Sequence, residues 1–402
     1  MMHPFRGWKV GPKRQSLRKT FLFQMFERHA SDVCSATKIC TLGLVFAAAL
    51  ACSGTRFHVT DFPSPSAHER YCAWYGEVQQ GTLFFGQAPF WSTMRASGGE
   101  PLGDLSQAGP QQIGRFDLSQ LEPLPPLDVT APGARSGVWD VLPRSRGEVF
   151  FTTFYEAAGA VNTETGRVRR FEELGLGLNE LAAGPEDALL ATRYGAGGSL
   201  VLFSPGGLLL AEYPLRASTG SLLAPKTPAW DEESDRYWVT TDRIGLEPGG
   251  ERPGAAHPTV VLDAQGHEIA RIEDVEVQFV RFDPAGRGVA AFVTDSELRL
   301  TELAPGPPSA QLRADSGVLL DGDFPAALDF VQDISFGPAG EVILTRWSGH
   351  VHIVGGDGQE REVRFPRDDP GELYYSGALS PDGETVCATR CGEVAVVCAR
   401  VP

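Results

Sequence analysis

The stretch that decides the fold is 341–365, "EVILTRWSGHVHIVGGDGQEREVRF". An apolar run ends in Thr345–Arg346, a short polar connection leads to a second run, and a Gly-Asp-Gly turn leads to a third. Short runs separated by glycine-rich turns, with Val351 and Ile353 alternating with His350 and His352, read as antiparallel strands with one buried face. The same order recurs at 188–215, "ALLATRYGAGGSLVLFSPGGLLLAEYPL", and at 148–171, "EVFFTTFYEAAGAVNTETGRVRRF". Looser copies occupy 236–245 with 259–272, 288–303, 384–401, and 81–87 with 112–129.

Most copies are preceded by one more strand and a tight turn: "VRFDPAGR" (280–287), "ISFGPAGE" (334–341), "ALSPDGET" (378–385), "LAAGPEDA" (181–188) and "AWDEESDR" (229–236). Proline sets φ for such a turn and glycine supplies positive φ. Each unit is therefore four strands, a to d, in meander order. Units of about 40–50 residues repeated along a chain stack around an axis as a β-propeller. The expectation is an all-β chain with seven four-stranded blades, or six, over 71–402. The last copy runs out of sequence after strand c, and "TRFHVTDF" (55–62) is the candidate strand to close it. Closure matters because an open blade leaves an unpaired edge.

Pattern and turns, across nearly all of 70–402, resemble the repeats of the streptogramin-lyase, NHL and gluconolactonase-like propellers. Other propeller signatures are missing, and the "WD" of Trp139–Asp140 lies on strand a. The resemblance implies two kinds of chemistry. A lactonase-type cage of Glu, Asn and Asp around a divalent metal would have to use Asn162 or Asn179, the only asparagines beyond the leader, and Asn162 falls in a c–d turn. A lyase-type acid–base histidine would have to be His257.

Charge divides the chain. Residues 1–51 carry eight Lys+Arg against two Asp+Glu, and residues 52–402 carry 27 against 49. A body at −22 argues against nucleic-acid or anionic-lipid partners. Lys226 is the only lysine beyond Lys38, which reads as a coding bias. Leu42 to Ala51 is too short to span a bilayer, which takes roughly 20 residues, and has the parts of a signal peptide. A leader starting at Met25 fits the usual length, so Met25 is the expected start. The junction "AALAC" before Ser53 resembles the lipobox of bacterial lipoproteins, which implies lipidation of Cys52. The expected organisation is 1–51 as leader, 52–70 as tether and closing strand, and 71–402 as propeller. The expected location is the cell envelope at the outer membrane, held by a lipid anchor.

Cys34 and Cys40 leave with the leader. Cys72, Cys387, Cys391 and Cys398 remain, an even number in an oxidising compartment, with three connectivities open. The closing strand would bring Cys72 near the last blade, where Cys391 or Cys398 could staple the ring.

Length variation collects in the b–c and d–a connections: 88–111, 244–258, 313–330 and 366–373. That face is the expected binding face. The residue after the strand-b Thr recurs once per copy as Gln87, Phe154, Arg193, Asp242, Asp295, Arg346 and Arg390. Arg193, Asp242, Asp295, Arg346 and Arg390 are the ligand candidates, with Arg forks suited to a small anion. Metal candidates are His350 with His352, and Asp321 with Asp323 and Asp315. Phe90, Trp91 and Met94 could cap the disc. The function expected is a binding or scaffolding module for a protein or small anionic ligand, without catalysis or cofactor. The alternative is a propeller lyase or metal-dependent lactonase working at the channel mouth.

Overall fold

The computed structural model describes residues 57–62, 71–89, 110–134, 136–144, 147–153, 156–193, 198–217, 220, 223–241, 257–313, 316–325, 329–367, 372–391 and 394–402. The strands begin with β1 (Phe57–Asp61), β2 (Tyr71–Gln79), β3 (Thr82–Pro89), β4 (Gln112–Asp117) and β5 (Glu122–Asp128). Five meanders follow. They are β6 (Val138–Arg144), β7 (Glu148–Thr153), β8 (Gly159–Asn162), β9 (Val168–Arg170); β10 (Leu178–Ala183), β11 (Leu189–Arg193), β12 (Ser199–Phe203), β13 (Leu209–Pro214); β14 (Pro225–Asp231), β15 (Arg236–Thr241), β16 (Thr259–Asp263), β17 (Glu268–Ile272); β18 (Glu276–Phe282), β19 (Gly288–Thr294), β20 (Glu297–Leu303), β21 (Val318–Asp321); and β22 (Val331–Phe336), β23 (Val342–Arg346), β24 (His350–Val354), β25 (Glu360–Arg364). The chain ends with β26 (Leu373–Leu379), β27 (Thr385–Cys391) and β28 (Ala395–Arg400).

Each meander is a separate four-stranded sheet, so five free-standing blades are present where seven or six were expected. The first and last copies are instead merged in one eight-stranded sheet, ordered β1-β28-β27-β2-β3-β4-β5 with β26 on β27. A backbone bridge at Cys72↔Cys391 joins its two halves, and a disulfide links the same two residues. Cys387 and Cys398, opposite one another on β27 and β28, form the second disulfide. The strand expected in "TRFHVTDF" is present: β1 pairs with β28 from Phe57↔Ala399 to Asp61↔Ala395. The inner strands meet in cyclic order, β2 on β6, then β10, β14, β18, β22 and β26, which returns to β2. One expected loop is partly a strand, because β21 lies within 313–330 and the connection before it is the long one.

Apolar side chains leave both faces of the middle strands. Trp238 and Val261 of one blade pack with Val277 and Phe292 of the next, and Leu298 and Leu300 pack with Val331 and Leu344. Strands β15 and β23 are therefore buried at every position. This corrects the one-face reading of 350–354: His352 is buried although it sits at a polar alternation position, because a second blade covers that face.

Every inner strand breaks register with its neighbour at the same height. The breaks fall between Ala73 and Gly76, Val138 and Val141, Leu178 and Leu181, Pro225 and Pro228, Val277 and Phe279, Val331 and Asp333, and Tyr374 and Gly377. A β-bulge of this kind frees backbone groups and re-aims side chains. The repeated strand-b threonine answers the freed groups. Thr192 accepts from the Glu180 N–H of its own blade at 3.3 Å and donates to the Lys226 carbonyl of the next at 2.8 Å. Thr389 does the same from Ser376 N–H to the Trp74 carbonyl, and Thr152 donates to Asn179. At these three junctions the strand-b threonine is an inter-blade latch.

Candidate functional site

The bulges decide what faces the axis, since the residues skipped in the ladder include Trp74, Tyr75, Trp139, Asp140, Asn179, Glu180, Lys226, Thr227, Gln278, Gln332, Tyr375 and Ser376. They are unlike one another from copy to copy. Where the first and last copies meet, they are aromatic. Trp74 stacks on Trp139 with ring centroids 4.3 Å apart and lies 4.5 Å from Tyr375. Tyr75 reaches across to donate to Gln332 Oε1 at 2.9 Å. With Cys72, Ala88, Leu373 and Cys391 these rings make one buried cluster at the b–c and d–a end.

At the opposite end, among the a–b turns, a cavity of about 820 Å³ opens. Part of its wall is apolar and proline-rich, formed by Leu142, Pro143, Pro228, Trp230, Phe282 and Phe336, and about half is polar. Five carboxylates, Glu77, Glu186, Asp187, Glu232 and Asp283, share the lining with only two guanidiniums, Arg144 and Arg281. Arg144 pairs with Asp187 at 3.3 Å, and Arg281 pairs with Glu77. Glu186 and Asp187 sit at positive φ, 50° and 66°, in the turn after β10, so the backbone itself presents this acidic corner.

Deeper along the axis lies a second set of charges. Burial pushes the Asp333 carboxyl up to about 6, against the opposing pull of Arg281, Ser376 and Lys226. Burial also raises Asp140 well above the usual carboxylate range, and Glu180 adds to that rise. Both Asp140 oxygens accept backbone N–H bonds, from Val141 and Leu181, at 2.7 Å. Glu180 accepts from Thr227 at 2.7 Å. Lys226 donates to the Val331 carbonyl at 3.1 Å, across the axis from β14 to β22. The one lysine of residues 39–402 thus sits in the channel, a placement that composition alone does not show.

The arginines named from sequence are together on the expected face but do not form a ring of ligand forks. Arg193 donates to Glu212 at 2.8 Å and to the Leu174 and Leu176 carbonyls at 2.7 and 2.5 Å. Arg346 is buried and held by Asp329 at 2.8 Å and by Asp321 at 2.7 Å. Arg390 pairs with Glu372 at 3.6 Å. In each case the arginine clasps the d–a connection that precedes its own blade. Asp295 stands apart, exposed at the tip of the β19–β20 hairpin with φ of 48°. Gln87 is buried. Asp321 is committed to Arg346, and its Oδ1 accepts the Asp323 N–H at 3.0 Å. His257 lies half-buried just before β16. Cys52, Phe154, Asp242, Asp315, Phe90, Trp91 and Met94 lie outside the described residues. Among the described residues, no helix is long and apolar enough to cross a membrane.

His350 and His352 share a face of β24, as the alternation implied, and the structure adds the third group that spacing did not reveal. Glu362 lies opposite His352 in the β24–β25 register, and the three can bring ligand atoms within 4.8 Å of one another. The axial residues were missed for another reason: they sit inside strands read as apolar. The available signal was one polar or aromatic interruption per strand a, such as "WYGE", "LNEL" or "VQDI".

No family model matches the sequence, and no curated protein matches it. In structure the chain is similar to a catalytically inactive virginiamycin B lyase from Staphylococcus aureus, solved with quinupristin. That match has a TM-score of 0.54 at 12% identity and covers 86% of this chain and 100% of that one. It is also similar to the WD40 domain of Pan2 from Neurospora crassa, with a TM-score of 0.53 at 10% identity, covering 86% of this chain and 95% of that one. Likeness at such low identity speaks to architecture, and with the cyclic packing of inner strands it makes this chain a β-propeller.

Proposed function

We propose that the chain is a non-catalytic binding propeller of the bacterial cell envelope, attached through lipid on Cys52, and that its cavity takes a small organic cation with an apolar body. The observation that carries the reading is the lining: Glu77, Asp187 and Asp283 are paired with arginines, and Glu186 and Glu232 are the surplus of negative charge among proline and aromatic side chains. The lining mixes polar and apolar surface about equally, and rings such as Trp230 favour a cation over their faces. On the opposite face the arginines are already held by carboxylates and carbonyls, which favours a protein over a small anion there. The merged sheet reads as two blades joined at a seam, the first and last of the ring.

A second reading, a propeller lyase or lactonase, has Asp333 in its favour. A carboxyl at about 6 suits acid–base work near neutral pH. Asp333 is absent from the cavity lining, however, whereas its neighbour Arg281 is part of it.

Titration of the full chain with benzyltrimethylammonium, followed by tryptophan fluorescence, tests the cation reading against phenylacetate as the anionic match. The expected result is binding at least tenfold tighter for the cation, weakened several-fold in Glu232→Gln. Equal affinity for the two probes would overturn it.

A further inference from the structure

We infer that His350, His352 and Glu362 form a binding site for one divalent transition-metal ion, of which zinc is the natural case, on the outer half of the β22–β25 blade. The argument begins with the register. β24 and β25 place His352 directly opposite Glu362, and His350 is two residues from His352 on the same face. Two imidazoles and a carboxylate are a nitrogen and oxygen donor set that zinc accepts.

The protonation pattern also fits. His352 Nδ1 lies 2.6 Å from Glu360 Oε1, which suits a proton on Nδ1 and a lone pair on Nε2. A metal-bound histidine usually has such a carboxylate behind it, which fixes its tautomer. Nε2 faces Arg346 Nη1 at 3.5 Å, a contact that an ion at Nε2 would displace. That guanidinium is already neutralised by Asp321 and Asp329, so it places no unbalanced charge beside an ion.

His350 Nδ1 and Glu362 Oε1 are 2.9 Å apart, yet the buried Nδ1 makes no hydrogen bond in that arrangement. Two donor atoms this close and misaligned are arranged as neighbours around an ion are. Zinc ligands lie about 2.0–2.2 Å from the metal in a tetrahedron, so two of them are about 3.3–3.6 Å apart. The set stands within 4.8 Å, so its side chains close by about 1 Å around an ion. Glu362 also accepts from Arg364 at 3.1 Å through each oxygen, and it can keep one of these contacts while the other oxygen turns to the ion. His350 and Glu362 are 25% and 29% exposed, so the site opens to solvent.

The test is zinc binding to the full oxidised chain by calorimetry after dialysis against chelator, with cobalt absorption as a second readout. His350→Ala and Glu362→Gln carry the comparison, since both positions are on the rim and a His352 variant is deep enough to disturb the blade. The expected result is one zinc per chain lost on either substitution, with affinity down at least tenfold and the cobalt bands reduced. Folding of each variant is checked by far-ultraviolet circular dichroism. No zinc uptake by the parent chain, or uptake unchanged in both folded variants, would overturn the site.

Discussion

The two ends of the axis are built from opposite materials. At the b–c end, Trp74, Trp139, Tyr375 and Tyr75 pack around the Cys72–Cys391 disulfide. At the a–b end, carboxylates and guanidiniums face a cavity. The closed end is made by residues skipped at the strand-a bulges, whereas the open end is lined by the far ends of the same strands and the a–b turns that follow them. The closed end joins the first copy to the last; the open end keeps charge near water.

The largest effect expected from disturbing this contrast is at the closed end. The Cys72–Cys391 link spans 319 residues of chain, and the Cys387–Cys398 link spans 11. By loop-closure entropy the first is worth about 6 kcal/mol and the second about 3. Cys72→Ser with Cys391→Ser should therefore lower the denaturation midpoint more than Cys387→Ser with Cys398→Ser. Equal losses in urea would show that the aromatic cluster alone holds the seam.

Next comes the buried charge beneath the open end. Asp333 has its carboxyl raised by burial to about 6, against about 3.9 in an unfolded chain. Between those values the folded state holds a proton that the unfolded state has lost. Its contribution is full below pH 4 and is lost as pH rises through 6, a fall of about 3 kcal/mol. Urea titrations from pH 4 to 7.5 should show this decline in the parent chain and a flatter profile in Asp333→Asn. An unchanged slope would assign the decline to Asp140. The smallest effect expected is at an ordinary blade junction. Thr192→Val removes a latch that serves two blades and leaves a buried N–H and carbonyl unanswered, a cost of about 1–3 kcal/mol.

The propeller was legible because its period lies in residues with local meaning: glycine and proline at turns, and a threonine near the end of six of the seven b strands. The closing strand was legible for a related reason, since a copy short of one strand advertises the gap. The separate-blade count was not. Whether two copies share a sheet depends on one bridge between Cys72 and Cys391, which no repeat encodes. The site was hidden more deeply. Arg193 and Arg346 recur at one position and look like a ring, but each is committed to carboxylates or carbonyls of a neighbouring connection. Glu77 and Arg281 lie within apolar runs and become partners only when the ring closes, 204 residues apart in sequence. Pairing over that distance leaves no local mark.

The pairing of β1 with β28 also sets an order of events. Phe57 is made about 340 residues before its partner Ala399. At roughly 5–20 residues per second, β1 waits some twenty to seventy seconds for its place. In that interval it is a short strand bearing His58 and Asp61, and such charged, brief edges resist pairing with strangers. β1 is therefore seated only once β28 has been made, and anything that releases the protein before Ala399 leaves β1 without its partner.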